Sequence, residues 1–234
     1  MYTFDSRIRY SEVGHTGRLT VPNLINYLQD CSTFQSEDLG VGLEVLKKKN
    51  RAWLLNSWHI VIRKAPALGD RVVVGTLAYD FKGLFGQRNF FMNDDQGQQL
   101  VCADSNWFYY DTGSGRPTRP EPEEVAAYGK EPRLEMNYMG RKISIPEVCV
   151  EKDSFPVRKY HIDTNEHVNN SQYVQMALET LDEEREVKEL RVEYKRAAVL
   201  GDMVYPKVAE ESGRTVVMLG DGEGGDYAVV EFIG

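Results

Sequence analysis

The first half of the chain shows a simple order of hydrophobic and polar positions. Residues 4–10 alternate between apolar and polar side chains, which predicts a half-buried β-strand. Thr20 can cap a helix that carries Pro22 in its first turn. The apolar residues on one face of this helix are Leu24, Tyr27, Leu28 and Cys31. Turn residues then separate four β-rich segments, which predicts strands at 52–61, 71–81, 87–93 and 99–110.

The second half repeats this order. A strand is predicted at 148–160 and a helix at 171–181. Further strands are predicted at 190–194, 203–209, 215–219 and 227–232. One long helix wrapped by a curved antiparallel sheet, twice over, is an α+β arrangement of two tandem repeats.

Similar segments in the two halves of the sequence indicate a duplication. Residues 63–70 read R-K-A-P-A-L-G-D and residues 195–202 read K-R-A-A-V-L-G-D, which aligns Asp70 with Asp202. Upstream, residues 9–11 can be aligned with residues 159–161, which places Tyr10 on Tyr160. Only two copies fit in the chain, which indicates a duplicated unit and not a solenoid. We therefore predict an N-terminal repeat at 1–130, a linker at 131–147 and a C-terminal repeat at 148–234.

Composition narrows the class of protein. Hydrophobic residues make up 41% and charged residues 27% of the chain, and no apolar run reaches the length of a membrane span. The N-terminus has no apolar signal core, which predicts a cytoplasmic protein without a membrane span. A net charge of −8 argues against nucleic-acid binding. The three cysteines, which have no C-x-x-C spacing, are expected to be reduced: Cys31, Cys102 and Cys149.

The candidate chemistry lies in residues 160–173, which read Y-H-I-D-T-N-E-H-V-N-N-S-Q-Y. Asp163, Asn165 and His167 supply a carboxylate, a carboxamide and an imidazole, the groups needed to activate water against a carbonyl. Asn169 and Asn170 follow where the loop enters the helix, and backbone amides there can stabilise an oxyanion. For Asn170, an N-cap role is at least as good an interpretation.

Other interpretations of these residues are weaker. His161 is interpreted as structural. A metal site is not expected, because the H-x5-H spacing of the two histidines is not one that zinc sites use.

The order of elements, together with D-x-N-x-H-V-N-N-x-x-Y, resembles the acyl-acyl carrier protein thioesterases of fatty acid synthesis. The run V-E-Y-K-R at 192–196 also resembles that family. The resemblance implies two hotdog repeats and hydrolysis of acyl-acyl carrier protein to free fatty acid, which ends fatty acid synthesis. It implies Asp163, Asn165 and His167 as catalytic residues and no cofactor. Because the long N-terminal transit and anchor region of plant members is missing, the chain resembles a bacterial member.

One departure from the family concerns the catalytic set. Plant members carry Glu-Cys after the E-Y-R-R run, where this chain has Ala197 and Ala198. A cysteine nucleophile is therefore impossible there, and the helper carboxylate is missing. Glu193 is a nearby candidate to replace it, although strand alternation leaves its direction open.

The loop of the first repeat has decayed. Glu12, Gly14, His15 and Gly17 occupy the place of the motif. We interpret this repeat as the acyl-chain pocket, lined by the apolar face of its helix at Leu24, Tyr27, Leu28 and Cys31.

Two alternatives stay open. An acyl-CoA thioesterase would differ mainly in its docking surface, and a hotdog module that binds an acyl thioester without catalysis would not need a water-activating set. A hotdog dehydratase has a different motif.

The expected partner, acyl carrier protein, is acidic, so docking requires a local basic patch. The candidate patches are Lys47–Lys49 with Arg51, Arg141–Lys142, Arg158–Lys159 and Lys195–Arg196, of which Arg141–Lys142 and Lys195–Arg196 are the first choices. Acyl-chain length and oligomeric state, a homodimer included, stay open.

Overall fold

The computed structural model describes residues 1–181, 186–211 and 213–234. The chain forms two compact units. The first contains Met1–Asn56 and Ile60–Tyr138, and the second contains Ser57–His59 and Met139–Gly234. Each unit has a helix packed on antiparallel strands. This confirms the predicted α+β class with two hotdog repeats, while the predicted boundaries 1–130, 131–147 and 148–234 stay predictions.

The first unit is built on a sheet with strand order β1-β3-β4-β5-β2. The neighbours β1–β3, β3–β4 and β4–β5 pair antiparallel, and helix α1 packs on β1 and β3. Its elements are β1 (Tyr2–Arg7), α1 (Val21–Asp38), α2 (Leu43–Lys48), β2 (Arg51–Ile62), β3 (Arg71–Lys82), β4 (Phe85–Asp94), β5 (Gln99–Asp111), β6 (Arg116–Pro117) and α3 (Pro122–Tyr128).

Helix α1 begins and buries its face as the sequence predicts. The Thr20 side chain accepts a hydrogen bond from the Asn23 amide, and Pro22 lies in the first turn, where its missing N–H is no loss. The four residues of the predicted face are all at most 6% exposed. At about 0.8 kcal/mol per buried methylene, this face is a large part of the driving force for docking the helix.

The second unit has the strand order β9-β12-β11-β10-β7, with β8 pairing to β10. Helix α4 packs on β11 and β12. Its elements are β7 (Val150–Glu151), β8 (Phe155–Pro156), α4 (Asn170–Glu179), β9 (Glu189–Tyr194), β10 (Met203–Glu211), β11 (Arg214–Gly220) and β12 (Asp226–Ile233).

Several predicted bounds are wrong. The single strand predicted at 148–160 is β7, β8 and a 3-10 turn at Lys159–His161. Pro156 cannot donate a hydrogen bond to a neighbouring strand, which limits how far this pairing extends. Likewise the first strand ends at Arg7, and Tyr10–Glu12 forms a 3-10 turn.

The duplication is visible in matching hydrogen bonds, and it corrects the upstream alignment. The Arg9 amide donates to Glu12 Oε2 (2.8 Å), and the Arg158 amide donates to His161 Nδ1 (2.9 Å). Arg9 therefore corresponds to Arg158 and not to Lys159, so the sequence alignment was wrong by one position. Such an error is easy here, because tyrosine and basic residues adjoin at both places.

The downstream alignment of Asp70 with Asp202 is kept in the structure. The Ala67 amide donates to Asp70 Oδ2 (2.8 Å), and the Val199 amide donates to Asp202 Oδ2 (3.0 Å). Both turns also contain a glycine with positive φ, at Gly69 and Gly201.

A buried ion network fixes the start of the second unit. Arg191 Nη1 donates to Glu231 Oε2 (2.5 Å), and Arg191 Nη2 donates to the carbonyls of Gly140 (2.6 Å) and Lys142 (3.0 Å). Arg214 Nη1 donates to the other carboxylate oxygen of Glu231 (2.6 Å). The irregular segment around residue 140 is therefore tied to strands β9 and β12.

The helices of the described ranges do not meet the requirements of a membrane span. None of them combines the length and the apolar character needed to cross a bilayer.

Candidate active site

The motif residues lie on one short loop, residues 162–168, which we call the motif loop. Ile162 and Val168 form an antiparallel bridge at its base. The Asp163 amide donates to the His167 carbonyl (2.8 Å), which closes the loop. Glu166 has φ = 62°, a left-handed conformation that non-glycine residues adopt rarely. The bridge brings the two ends of the motif together, so Asp163 and His167 are neighbours in space.

The carboxylate of Asp163 organises the backbone of this loop. Its Oδ1 atom accepts hydrogen bonds from the amides of Asn165 (2.7 Å) and His167 (3.4 Å). Asp163 and His167 are half-buried and Asn165 is exposed. The structure therefore brings the three predicted catalytic residues together on one loop that is in part exposed.

The helix that follows is capped by Asn169, not by Asn170. Asn169 Oδ1 accepts from the amide (2.9 Å) and the hydroxyl (3.0 Å) of Ser171. Asn170 is the first residue of α4, and its carbonyl accepts from the Tyr194 hydroxyl (3.0 Å). The N-cap interpretation of Asn170 was wrong by one residue, since adjacent asparagines give the same sequence signal.

Two hydrogen bonds hold the far end of the motif loop. The Val168 amide donates to the carbonyl of Ala198 (2.9 Å), and the Ala198 amide donates to the Tyr173 hydroxyl oxygen (2.8 Å). Burial raises the pKa of Tyr173 to about 12, so its hydroxyl stays protonated at ordinary pH. The hydrogen bond between Ala198 and Tyr173 could not be predicted from the sequence, because it is a tertiary contact, although Tyr173 is the last residue of the sequence motif.

His161 takes part in the turn before the loop. Its ring is buried, and Nδ1 accepts from the Arg158 amide (2.9 Å). Burial lowers the pKa of this histidine, which favours the neutral acceptor form. This geometry gives His161 a structural role at the 3-10 turn.

Glu193 does not join the motif loop, which corrects its assignment as a supporting residue. Its neighbour Tyr194 faces α4, because the Tyr194 hydroxyl bonds to the Asn170 carbonyl. Successive residues of a strand point to opposite faces, so Glu193 points away from α4. Its Oε2 atom accepts from the Ile143 amide (3.3 Å) instead. The direction could not be read from the sequence, because the register of β9 was unknown.

None of the three cysteines belongs to the motif loop. Cys31 and Cys102 are buried and Cys149 is exposed. Burial raises the pKa of the Cys31 thiol to about 12, so the thiolate that a nucleophile needs is disfavoured. The place of the plant cysteine is Ala198, which is fully buried beside the motif loop.

The first repeat keeps the shape of the loop without its chemistry. Val13 and Leu19 form the matching bridge, and the Gly14 amide donates to the Arg18 carbonyl (3.0 Å). With Arg9 placed on Arg158, Gly14 stands at the place of Asp163 and Arg18 at the place of His167. The carboxylate and the imidazole are therefore absent from these two positions, and His15 stands at the place of Thr164.

Acidic, histidine and cysteine side chains form no metal-binding arrangement in residues 1–181, 186–211 and 213–234. No group of three or more of them in these ranges could hold a metal ion.

Two hotdog units, one of which carries a carboxylate, a carboxamide and an imidazole on a loop before its helix, define a double-hotdog protein. Two family models match the chain and identify its family. Residues 1–128 match the acyl-ACP thioesterase N-terminal domain, and residues 147–231 match the acyl-ACP thioesterase C-terminal domain. The chain belongs to the acyl-ACP thioesterase family.

Named relatives agree with this family. Chloroplastic oleoyl-acyl carrier protein thioesterase 2 of Arabidopsis thaliana is 26% identical over 90% of this chain and 63% of its own length. The chloroplastic oleoyl-acyl carrier protein thioesterase of Coriandrum sativum is 24% identical over 90% of this chain and 64% of its own. The chain thus spans about three fifths of the length of these relatives.

The solved structures show the fold. An acyl-ACP thioesterase from Bacteroides thetaiotaomicron has a TM-score of 0.89 at 21% identity, over 99% of this chain and 96% of that one. The 12:0-ACP thioesterase from Umbellularia californica has a TM-score of 0.83 at 20% identity, with the same coverage of both chains.

Proposed function

We propose that this protein hydrolyses the thioester of medium- or long-chain acyl-acyl carrier protein and releases free fatty acid. The observation that carries the proposal is the motif loop, where Asp163, Asn165 and His167 share one accessible turn. The family membership supports the same reaction. The chain spans only part of its named relatives, so its own substrate must be measured.

The chemistry follows from the groups on the loop. Water adds to the thioester carbonyl carbon while Asp163, alone or with His167, accepts a proton from it. Asn165 and amides at the start of α4 can donate to the developing oxyanion. The C–S bond then breaks, the proton taken from water passes through His167 to the sulfur, and the products are a carboxylic acid and the free thiol. Asp163 also holds the loop through Oδ1, so its position is fixed before substrate binds.

The test of this function is a hydrolysis assay with matched thioesters. Carrier-bound acyl chains of graded length should yield free fatty acid and one thiol per turnover. The same chains on coenzyme A should react with a kcat/KM at least about tenfold lower, which corresponds to about 1.4 kcal/mol of carrier recognition. Equal rates would favour the acyl-CoA alternative. Tight binding without thiol release would favour the non-catalytic module.

We propose that the acyl chain lies beside the buried face of α1. Leu24, Leu28 and Cys31 form an apolar stripe that ends at Gln35, whose side-chain oxygen accepts from the buried Arg88. Tyr27 borders the stripe on the loop side, and its hydroxyl donates to Glu12 Oε2 (2.7 Å). A polar pair at the end of an apolar stripe is costly to cover with methylene groups, which would limit the length of the chain.

This placement predicts a change in product length. Leu28→Phe should shorten the preferred acyl chain by one or two C2 units, and Leu28→Ala should lengthen it, because each buried methylene contributes about 0.8 kcal/mol. Phe34→Leu, on the exposed face of the same helix, is the control. The measurement is the fatty acid profile from a mixture of carrier-bound substrates. An unchanged fatty acid profile in both Leu28 variants would show that the acyl chain does not lie beside this face of α1.

One of the two first choices of basic patch for the proposed carrier contact, Lys195–Arg196, must be revised, whereas Arg141–Lys142 stays a prediction. Lys195 Nζ pairs with Asp226 (2.8 Å), and Arg196 pairs with Asp221 (3.1 Å), so their charges are compensated. Arg158 and Lys159 are exposed and form no ion pair with any described residue. Lys159 begins the 3-10 turn that leads directly into the motif loop, and Arg158 directly precedes it. We therefore propose Arg158 and Lys159 as the contact for the acidic carrier.

The revised contact predicts a difference between two substrates. Reversing both charges with Arg158→Glu and Lys159→Glu should lower kcat/KM about tenfold for carrier-bound substrate and less than about twofold for a short acyl-pantetheine. Raising the ionic strength should likewise lower kcat/KM for carrier-bound substrate more than for acyl-pantetheine. At physiological salt, exposed charges more than about 8 Å apart are already largely screened from each other, and this distance shortens as salt is added. The control is Lys47→Glu with Lys48→Glu, which changes net charge equally on exposed residues of α2. If both double variants lose the same activity, Arg158 and Lys159 are not the contact.

The location of the protein stays a prediction. A cytoplasmic enzyme fits a carrier-bound substrate of fatty acid synthesis, whereas the named plant relatives are chloroplastic proteins.

A further inference from the structure

The backbone of Ala198 connects helix α4 to the motif loop. Its carbonyl accepts from the Val168 amide (2.9 Å), and its amide donates to the Tyr173 hydroxyl oxygen (2.8 Å). Val168 directly follows His167 and forms the bridge that closes the loop. Ala198, Val168 and Tyr173 are all buried, so water cannot replace these bonds easily.

The first repeat makes one of these two bonds and lacks the other. The Leu19 amide donates to the Pro66 carbonyl (2.9 Å), which matches the bond between Val168 and Ala198. Pro66 has no amide hydrogen to donate. The place of Tyr173 is taken by Leu24, which is buried and has no hydroxyl. Donor and acceptor are therefore both present in the second repeat and both absent from the first.

This paired difference has a physical reason. A buried amide that loses its acceptor keeps the full cost of its desolvation. Alanine at position 198 brings such an amide into the core, and tyrosine at position 173 supplies the acceptor. In the copy without catalytic residues, proline removes the need for an acceptor and leucine fills the space.

We propose that Tyr173 is a positioning residue of the reaction: through the backbone of Ala198, its hydroxyl fixes Val168 and hence the motif loop. The proposal rests on the proposed function. Tyr173 touches neither Asp163 nor His167 through a hydrogen bond in the structure, so it acts through the backbone and not as an acid or base.

The first test removes the hydroxyl alone. Tyr173→Phe keeps the ring and leaves the Ala198 amide without its acceptor. We expect kcat for carrier-bound substrate to fall about tenfold and KM to change less than about twofold, because the loop that Tyr173 positions carries the groups that act in the transition state. The amide of Val168 should also exchange its hydrogen faster.

The second test restores the geometry by the solution found in the first repeat. Ala198→Pro in the Tyr173→Phe background removes the unsatisfied amide, and most of the lost kcat and of the Val168 protection should return. If Tyr173→Phe is poorly folded, Tyr173→Leu with Ala198→Pro copies Leu24 and Pro66 directly. That pair should fold and hydrolyse substrate within about threefold of the parent.

The matched control is Tyr194→Phe. Tyr194 is also buried, but its hydroxyl bonds to the Asn170 carbonyl, so activity that Tyr194→Phe loses should not return when Ala198→Pro is added. A parental kcat in Tyr173→Phe would overturn the proposal, and so would the absence of rescue in both proline pairs. If the parent hydrolyses no thioester, the proposed function fails, whereas Val168 exchange still reports whether Tyr173 fixes the loop.

Discussion

Replacing any one of the three motif side chains is expected to lower kcat by about 10²-fold or more without unfolding the protein. The variants are Asp163→Asn, Asn165→Ala and His167→Ala. Asparagine at position 163 keeps an oxygen that can accept the amides of Asn165 and His167, so it removes the charge and leaves the loop bonds. The measurement is single-turnover hydrolysis of carrier-bound substrate, with the melting temperature recorded for each variant.

A control for this series lies on the same loop. Thr164 is exposed, and Thr164→Ala should keep hydrolysis within about twofold of the parent. If all three motif variants retain near-normal turnover, the catalytic assignment is wrong. If Thr164→Ala loses as much activity as they do, the loop matters for its shape and not for those three groups.

The largest expected loss of stability comes from Glu231→Ala. Glu231 is 2% exposed, and its two oxygens bind Arg191 and Arg214. Removing the carboxylate leaves the buried guanidinium of Arg191 without its anion, which should cost about 3–5 kcal/mol of unfolding free energy. Denaturant unfolding measures this value directly.

The matched control uses the other acidic partner of Arg214. Glu211 lies 2.6 Å from Arg214 Nη2 with its side chain 48% exposed. Glu211→Ala should therefore change stability by less than about 1 kcal/mol, as exposed ion pairs usually do. Equal losses for the two substitutions would show that burial of Glu231 is not what makes its ion pairs important.

The site was only partly predictable from sequence. Asp163, Asn165 and His167 are close in the chain, so a single turn is enough to bring them together. The direction of Glu193 depends on which face of β9 meets α4, and that is a tertiary property. Lys195 and Arg196 are a basic patch in the sequence. Their ion pairs with Asp226 and Asp221 are also tertiary contacts, which the sequence does not predict.

The sequence by itself determined the features that depend on local order: the buried face of α1, the two copies of the Leu-Gly-Asp turn and the residues of the motif loop. Periodicity and short spacings carry that information, because they act within a few residues. Tertiary structure alone decided which residues hold the loop in place. Tyr173 and Ala198 are far apart in the chain, and their hydrogen bond exists only because α4 packs beside the start of the Leu-Gly-Asp turn. A contact over that distance depends on how the chain packs, and no local pattern encodes it.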